Sequence, residues 1–391
     1  MVGGNMKNVF FVSELFYPNQ TSTAYIMTEV AKNFAAKGNN VKVVTSKIQY
    51  DSNVTVGKEL EAIEVFKSKS FGGNKNSFFS RVFSALFNSI GLVWTTARKI
   101  KAGDTVFAVT NPLFLIILLG ILSKIKRFDY VLLVHDVFPE NTIPAGINKK
   151  DSFVYKILLK VYNWAYKCPS KVIVLGEDMK QLIIAKGVSP NKIAIIPNWY
   201  DDELIIPDFE KPKTNEDIVI GFAGNIGRVQ ALERFINIFN KTENSNLRLE
   251  IIGEGANLES CKELATKKNI YFRGSLPRSE QSDFINGFDI GLISLSEGMF
   301  GLGVPSKTYN LLAMGKPVLY IGDQGSEIDM LNNVNNIGWS FSWNEENEIL
   351  RFLNSLQRSN IQGYMSRNQN LAKEKFSSNV VLDLIYNFVS H

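Results

Sequence analysis

The stretch from Phe288 to Tyr320 leaves a chain like this little choice of fold. It opens with the apolar run Phe-Asp-Ile-Gly-Leu-Ile-Ser-Leu, passes through Ser-Glu-Gly-Met-Phe-Gly-Leu-Gly, and continues as Val-Pro-Ser-Lys-Thr-Tyr-Asn-Leu-Leu-Ala-Met-Gly-Lys-Pro-Val-Leu-Tyr. A short apolar run followed by glycine reads as a buried strand and its turn. Proline is tolerated in the first turn of a helix because its missing N–H would have no partner there, so a helix is expected to begin around Pro305 to Ser306. Gly315 suits the left-handed residue that ends a helix. The whole predicts one βαβ unit with a ligand loop at its first turn. The helix start gathers free N–H groups and Lys307 adds a full positive charge, which points to an anion, with phosphate the natural candidate.

The rest of the chain repeats this grammar. Apolar runs at 8–13, Val41–Thr45, Ala62–Phe66, Thr105–Val109, Tyr130–Val134 and Lys171–Leu175 alternate with helical patterns, and a Gly-Gly-Asn-Lys-Asn turn follows the third run. A second series begins at Ile218 and continues through Leu249–Ile252, Ile270–Phe272, Ile290–Ser294 and Val318–Ile321, with a mostly helical pattern after Trp339. Strand and helix alternating at this spacing predict parallel sheets with right-handed crossovers. At 391 residues the chain is long for one core. Two α/β domains are expected, 6–200 and 218–375, joined by a 201–217 linker containing Pro207 and Pro212. Met6 reads as the start, preceded by a short extension.

Several function classes fall away on composition. Cys168 and Cys261 stand in different halves, which excludes a disulfide framework. With only His135 and His391 as histidines and no Asp-x-Asp, no metal site is expected. No export signal or membrane-spanning run is found, since Leu113–Leu122 is about half the length of a span. Residues 1–200 carry 25 Lys and Arg against 13 Asp and Glu, while the remainder carries 18 against 25. A basic first half implies an anionic partner, yet its lysines are scattered rather than interleaved with aromatics, so nucleic acid is not expected. Phe79, Phe83, Leu86, Ile90, Val93, Trp94 and Ala97 recur at helical spacing, with Arg81, Arg98, Lys99 and Lys101 at the ends of the stretch. Such a stripe packs on a sheet, and its surplus aromatics, Phe78 and Phe79 among them, suit an anionic membrane surface.

Chemistry-bearing residues gather at strand ends, where open α/β sheets bind ligands. His135-Asp136 and then Pro139-Glu140 follow Val134, and Asp136 or His135 is the candidate base or acceptor-hydroxyl partner. Tyr17, in the loop after the first strand, joins Glu140 on the acceptor side. Gly221-x-x-Gly224-Asn225-x-Gly227-Arg228 follows one strand, and its backbone N–H groups would approach a diphosphate closely. Gly253-Glu254-Gly255 ends the next strand.

Pro305-Ser306-Lys307-x-x-Asn310-x-x-Ala313-x-Gly315-Lys316-Pro317-Val318 resembles the donor-site motif of family 4 retaining glycosyltransferases, in the bacterial surface-polysaccharide branch. Gly224-Asn225-Ile226-Gly227, Gln230 and Leu232-Glu233 are similar to the start of that branch's second domain, and Asp136 with Pro139-Glu140 matches its first. The resemblance implies a GT-B fold, two Rossmann-like domains facing each other across a cleft, with the last helix within 376–391 returning to the first domain. It implies transfer of a sugar from a nucleoside-diphosphate sugar to a polyprenyl-diphosphate-linked glycan, with retention, in capsule, O-antigen or exopolysaccharide assembly. The enzyme would work without a resident cofactor, in the cytoplasm at the inner membrane face. Gly224, Asn225, Gly227, Arg228, Gly253, Gly255, Ser306, Lys307 and Asn310 would bind the donor. Better-known members place Arg and Lys at Asn225 and Gln230 and a Glu-x7-Glu pair at Leu302 and Asn310, which leaves Arg228 and Lys307 as the cations for the diphosphate. Alternatives are a nucleotide-sugar epimerase of the same architecture and an inactive glycan-assembly partner.

Overall fold

The computed structural model describes residues 8–19, 21–47, 63–72, 78–208 and 217–391. Its first half runs β1 (Asn8–Val12), α1 (Ser22–Ala36), β2 (Asn40–Ser46), β3 (Glu64–Ser68), α2 (Phe78–Lys99), β4 (Thr105–Val109), α3 (Leu115–Lys126), β5 (Asp129–Leu133), α4 (Phe153–Lys167), β6 (Lys171–Val174), α5 (Glu177–Ala185) and β7 (Ile193–Ile195). The strands pair in parallel in the order β3-β2-β1-β4-β5-β6-β7. The second half runs β8 (Ile218–Ala223), α6 (Leu232–Phe239), β9 (Leu247–Ile252), α7 (Leu258–Leu264), β10 (Ile270–Phe272), α8 (Gln281–Gly287), β11 (Ile290–Ser294), α9 (Lys307–Ala313), β12 (Val318–Ile321), α10 (Glu327–Asn335), β13 (Gly338–Phe341), α11 (Glu346–Ser355), α12 (Arg358–Ile361), α13 (Tyr364–Lys375) and α14 (Ser378–Ser390). Its sheet is also parallel, in the order β10-β9-β8-β11-β12-β13.

Both sheets reverse direction of winding beside their first strand, between β1 and β4 and between β8 and β11. At such switch points neighbouring loops diverge and open a crevice above the carboxyl ends of the strands. Strands buried on both faces need largely apolar sequence, and β4 and β11, buried at every position, carry only Thr105 and Ser294 as polar residues. Core residues cross between the sheets' territories at two places. Leu302, from the loop after β11, is 3% exposed within the first sheet's core, and α14 sends Val381, Leu382 and Ile385 there as well. Burying one leucine contributes about 1.5–3 kcal/mol, so these crossings bind the halves together.

Three sequence expectations change in detail. The strand β13 replaces helical pattern after Trp339, because its half-buried Gly-Trp-Ser-Phe sequence forms no continuous apolar run. Helix α9 begins at Lys307, with Pro305 and Ser306 forming the turn before it. The third strand spans Glu64–Ser68, while Ala62 and most of the glycine turn at 72–76 lie outside the described residues, as do Met6, Pro212 and the side chains of Phe78 and Phe79.

Candidate active site

The first-domain wall of the cleft begins where β5 runs out. The backbone N–H groups of His135 and Asp136 both donate to Thr110 Oγ1, at 3.3 and 3.4 Å, so the residue after β4 orients the chain leaving β5. Protein surrounds the His135 imidazole, its Nε2 has no partner among the described residues, and burial lowers its pKa to about 4. It is therefore neutral at neutral pH. Asp136 opens on the cleft, but the walls strip water from its carboxyl and raise its pKa. A Cβ on Gly303 would sit 3.4 Å from Asp136 Oδ1, so the facing loop approaches closely because it carries glycine there.

The opposite wall comes from β8 and β11. After β8 the chain turns through Gly224 and Gly227, with the Gly224 N–H donating to Ile252 O at 2.9 Å and the Gly227 N–H to Gln230 Oε1 at 3.1 Å. Gly253 and Gly255 lie behind this turn rather than on the cavity. Their φ values are +142° and +158°, and added Cβ atoms would fall 1.8 Å from Gly224 O and 2.3 Å from Ile226 O. They hold the glycine turn from behind, a role that spacing alone did not reveal.

The loop between β11 and α9 is pinned by carboxylates. Asp323 accepts from the Gly298 N–H at 3.2 Å and the Phe300 N–H at 2.8 Å. Glu297, the acid nearest the donor loop in sequence, pairs with Arg234 at 3.1 Å. The Val137 N–H donates to Leu302 O at 3.1 Å, which joins this loop to the first domain just after Asp136. Lys307 follows. Its ammonium has no hydrogen-bond or ion-pair partner among the described residues, and desolvation lowers its pKa. Helix α9 spans seven residues, so its dipole is modest and the attraction for an anion rests chiefly on the Lys307 charge.

Two cavities meet at Ser306 and Lys307. One, of about 270 Å³, lies between His135 and Asp136 on one side and Gly224, Asn225, Gln230, Ser294 and Leu295 on the other. The second, of about 410 Å³, is bounded by Tyr25, Trp199, Asp201, Arg278, Gln281, Phe284 and Asn310. Asn310 Oδ1 there accepts from the Asp201 N–H at 2.9 Å, and Asp201 Oδ2 takes Arg278 Nε at 2.6 Å. Sequence reading passed over Thr110, Tyr25, Asp201 and Arg278. The position of Thr110 directly after β4 is the one signal that pointed to it.

Other expected site residues stand apart from these cavities. Arg228 is exposed and its Nη1 reaches across the cleft to Ala145 O at 3.4 Å, away from both linings. Glu140 is turned inward: its Oε1 pairs with Lys186 Nζ at 2.5 Å, and that lysine side chain is 2% exposed. Its other oxygen, Oε2, is buried without a partner among the described residues, and Glu140 faces the interior of the first domain rather than either cavity. Tyr17 donates its backbone N–H to Thr28 Oγ1 at 3.1 Å and packs against the first core, outside both linings.

A cation without a partner, facing an acid and a neutral histidine across a switch-point crevice, is equipped to stabilise a leaving anion. The Glycosyltransferase Family 4 model matches residues 24–204. Over its length the chain is 29% identical to a probable glycosyltransferase, WbjE, of Pseudomonas aeruginosa, covering 97% of this chain and 96% of that one. The chain is similar to family 4 glycosyltransferases. A putative colanic acid biosynthesis glycosyl transferase, WcaI, of Escherichia coli K12 is 21% identical, with 81% and 83% covered. The Anabaena protein Alr3699/HepE, solved in complex with UDP and glucose, superposes with a TM-score of 0.69 at 15% identity, covering 98% of this chain and 99% of that one. The fold is GT-B, two Rossmann-like α/β domains. The epimerase alternative is not favoured by these relatives.

Proposed function

We propose that the protein transfers a sugar from a nucleoside-diphosphate sugar to a polyprenyl-diphosphate-linked glycan, with retention of configuration, in the assembly of a bacterial surface polysaccharide. The unpartnered Lys307 ammonium at the junction of two cavities, opposite His135 and Asp136, carries this reading. The donor diphosphate would lie at Lys307, with the nucleoside in the larger cavity and the sugar in the smaller one. As the sugar–oxygen bond breaks, negative charge grows on the leaving phosphate. A cation already in place and already desolvated offsets it without reorganisation. Asp136 would hold the acceptor hydroxyl or take its proton, while His135 keeps the wall beside it uncharged. Names of relatives that include polysaccharide and lipopolysaccharide assembly support the pathway class.

The acceptor's lipid implies work at a membrane, and exposed residues of the first domain support that reading. No helix among the described residues is long and apolar enough to cross a bilayer. Instead α2, α3 and α4 expose Phe83, Trp94, Ile125 and Phe153, the last at 77%, among Arg98, Lys124, Lys126 and Lys156. That mixture suits the inner, anionic face of the cytoplasmic membrane. Turnover against a panel of nucleotide sugars, with a short lipid-diphosphate-linked acceptor, tests the function. One donor should yield extended lipid-linked product whose new linkage keeps the donor's anomeric configuration by NMR. Conversion of a donor without acceptor, or no transfer from any donor, would overturn it.

A further inference from the structure

Helices α5 and α10 belong to different sheets, yet they meet first turn to first turn. The first turn of a helix has N–H groups without internal partners, and each helix here answers the other's. Asp178 Oδ2 accepts from the Glu327 N–H at 3.1 Å, and Glu327 Oε2 accepts from the Glu177 N–H at 2.8 Å. Sequence prepares the place on both sides. A Cβ at Gly176 would come 2.6 Å from Glu327 Oε2, so glycine makes room for that carboxylate. Asp178 is itself only 2% exposed.

This contact has a third member. Asp178 Oδ2 also accepts from the Gly301 N–H at 3.1 Å, in the loop that leads to Lys307. Gly301 has φ +70°, and a Cβ there would lie 2.7 Å from Asp178 O, so a side chain at this position would be both strained and crowded. The next residue, Leu302, is the one buried in the first domain's core, and the one after, Gly303, faces Asp136. A single buried carboxylate thus fixes the loop two residues before Gly303, where the two walls face each other.

Resting on the glycosyl-transfer reading above, we infer that Asp178 is a positioning residue for that reaction. By tying Gly301 and the first turn of α10 to the first domain, it holds the Gly303–Lys307 segment against His135 and Asp136. It does not touch the reacting atoms. Its loss leaves each wall intact and lets the two walls drift apart.

The test compares the full-length Asp178→Asn variant with Glu327→Gln, which weakens the helix contact but leaves the Gly301 bond. At saturating donor, Asp178→Asn should lower kcat by tenfold or more while nucleoside-diphosphate affinity changes less than about threefold. Glu327→Gln should keep kcat within about threefold at a comparable loss of Tm. Hydrogen exchange should speed up at Gly301 and Leu302 in Asp178→Asn and not in Glu327→Gln. Equal kcat per folded molecule in Asp178→Asn and wild type, or equal losses in the two variants, would overturn the positioning role. If Asp178→Asn does not fold, exchange in the wild type decides: slow exchange at both Gly301 and Glu327 supports the inference, and fast exchange at either removes it. If the wild type transfers no sugar, the proposed function fails, and loop exchange in the variants alone decides whether Asp178 holds the loop.

Discussion

Lys186 and Lys307 both lose hydration to the protein around them, and desolvation lowers the pKa of each. Around Lys186 the protein supplies Glu140 at 2.5 Å, Asn163 Oδ1 at 3.2 Å and the Tyr166 ring face at 5.1 Å. Around Lys307 it supplies none of these among the described residues. Desolvating an ammonium is costly in either place, and the fold offsets that cost at Lys186 and leaves it standing at Lys307, which supports the proposal that an external anion binds there. The first lysine is part of the architecture. The second has a charge reserved for something that comes and goes.

That contrast can be broken most sharply at Lys186. Replacing it with alanine strands Glu140 in the interior and should cost about 3–5 kcal/mol of stability in a urea titration. The kcat of the remaining folded molecules should be unchanged. Lys307→Ala should do the reverse: unfolding is unchanged or slightly harder, while turnover falls about 10²-fold, equivalent to about 2.7 kcal/mol of transition-state stabilisation. Calorimetric titration should also show nucleoside diphosphate losing more affinity than nucleoside monophosphate, because only the former presents the outer phosphate. Equal losses for the two nucleotides would take Lys307 out of the diphosphate site.

Across the cleft, Asp136→Asn should lower kcat by about tenfold and leave nucleoside-diphosphate affinity near the wild-type value, in keeping with general-base contributions at their lower range. His135 gives a smaller signal, in stability against pH. Its folded pKa, about 4, lies below the usual 6.5, so the stability it lends by staying neutral is present above 6.5 and drains away as pH falls toward 4. The effect is on the order of 1–2 kcal/mol at pH 5, and His135→Gln should flatten that part of the unfolding profile. Smallest of all, Trp94→Ser on α2 should weaken sedimentation with anionic vesicles a few-fold, and high salt should release the wild type. Equal recovery on anionic and neutral vesicles at low salt would remove the membrane surface from the reading.

The fold was legible wherever short-range chemistry decides it. Ile290–Ser294 and Val318–Ile321 read as buried strands because every position is apolar or small, and Pro305 announced α9 to within two residues. The strand β13 was missed because its Gly-Trp-Ser-Phe sequence is half-buried at every position and forms no continuous apolar run. The candidate site was less legible, since its meaning lies in contacts between distant residues. Glu140 and Lys186 are 46 positions apart, and the carboxylate looks free until the fold brings them together. Asn310 offers an amide to a ligand in sequence, while in the structure its oxygen is occupied by the Asp201 N–H, 109 positions away. Least visible of all was the isolation of Lys307, because the lack of a partner is a property of everything that surrounds a side chain.

Helix α14 has a consequence for the order in which this molecule comes into being. It packs on α1, with the Tyr386 and Phe34 rings 4.9 Å apart, and Lys171 Nζ, at the start of β6, donates to Phe388 O at 2.7 Å. On the ribosome the first sheet therefore emerges with a groove that stays open until the entire second domain has been made. Through that interval Phe34 packs on Phe11 but lacks the Tyr386 ring, at the stage when partly covered cores are most prone to wrong associations. Translation speed through the second half sets how long the first half remains unfinished.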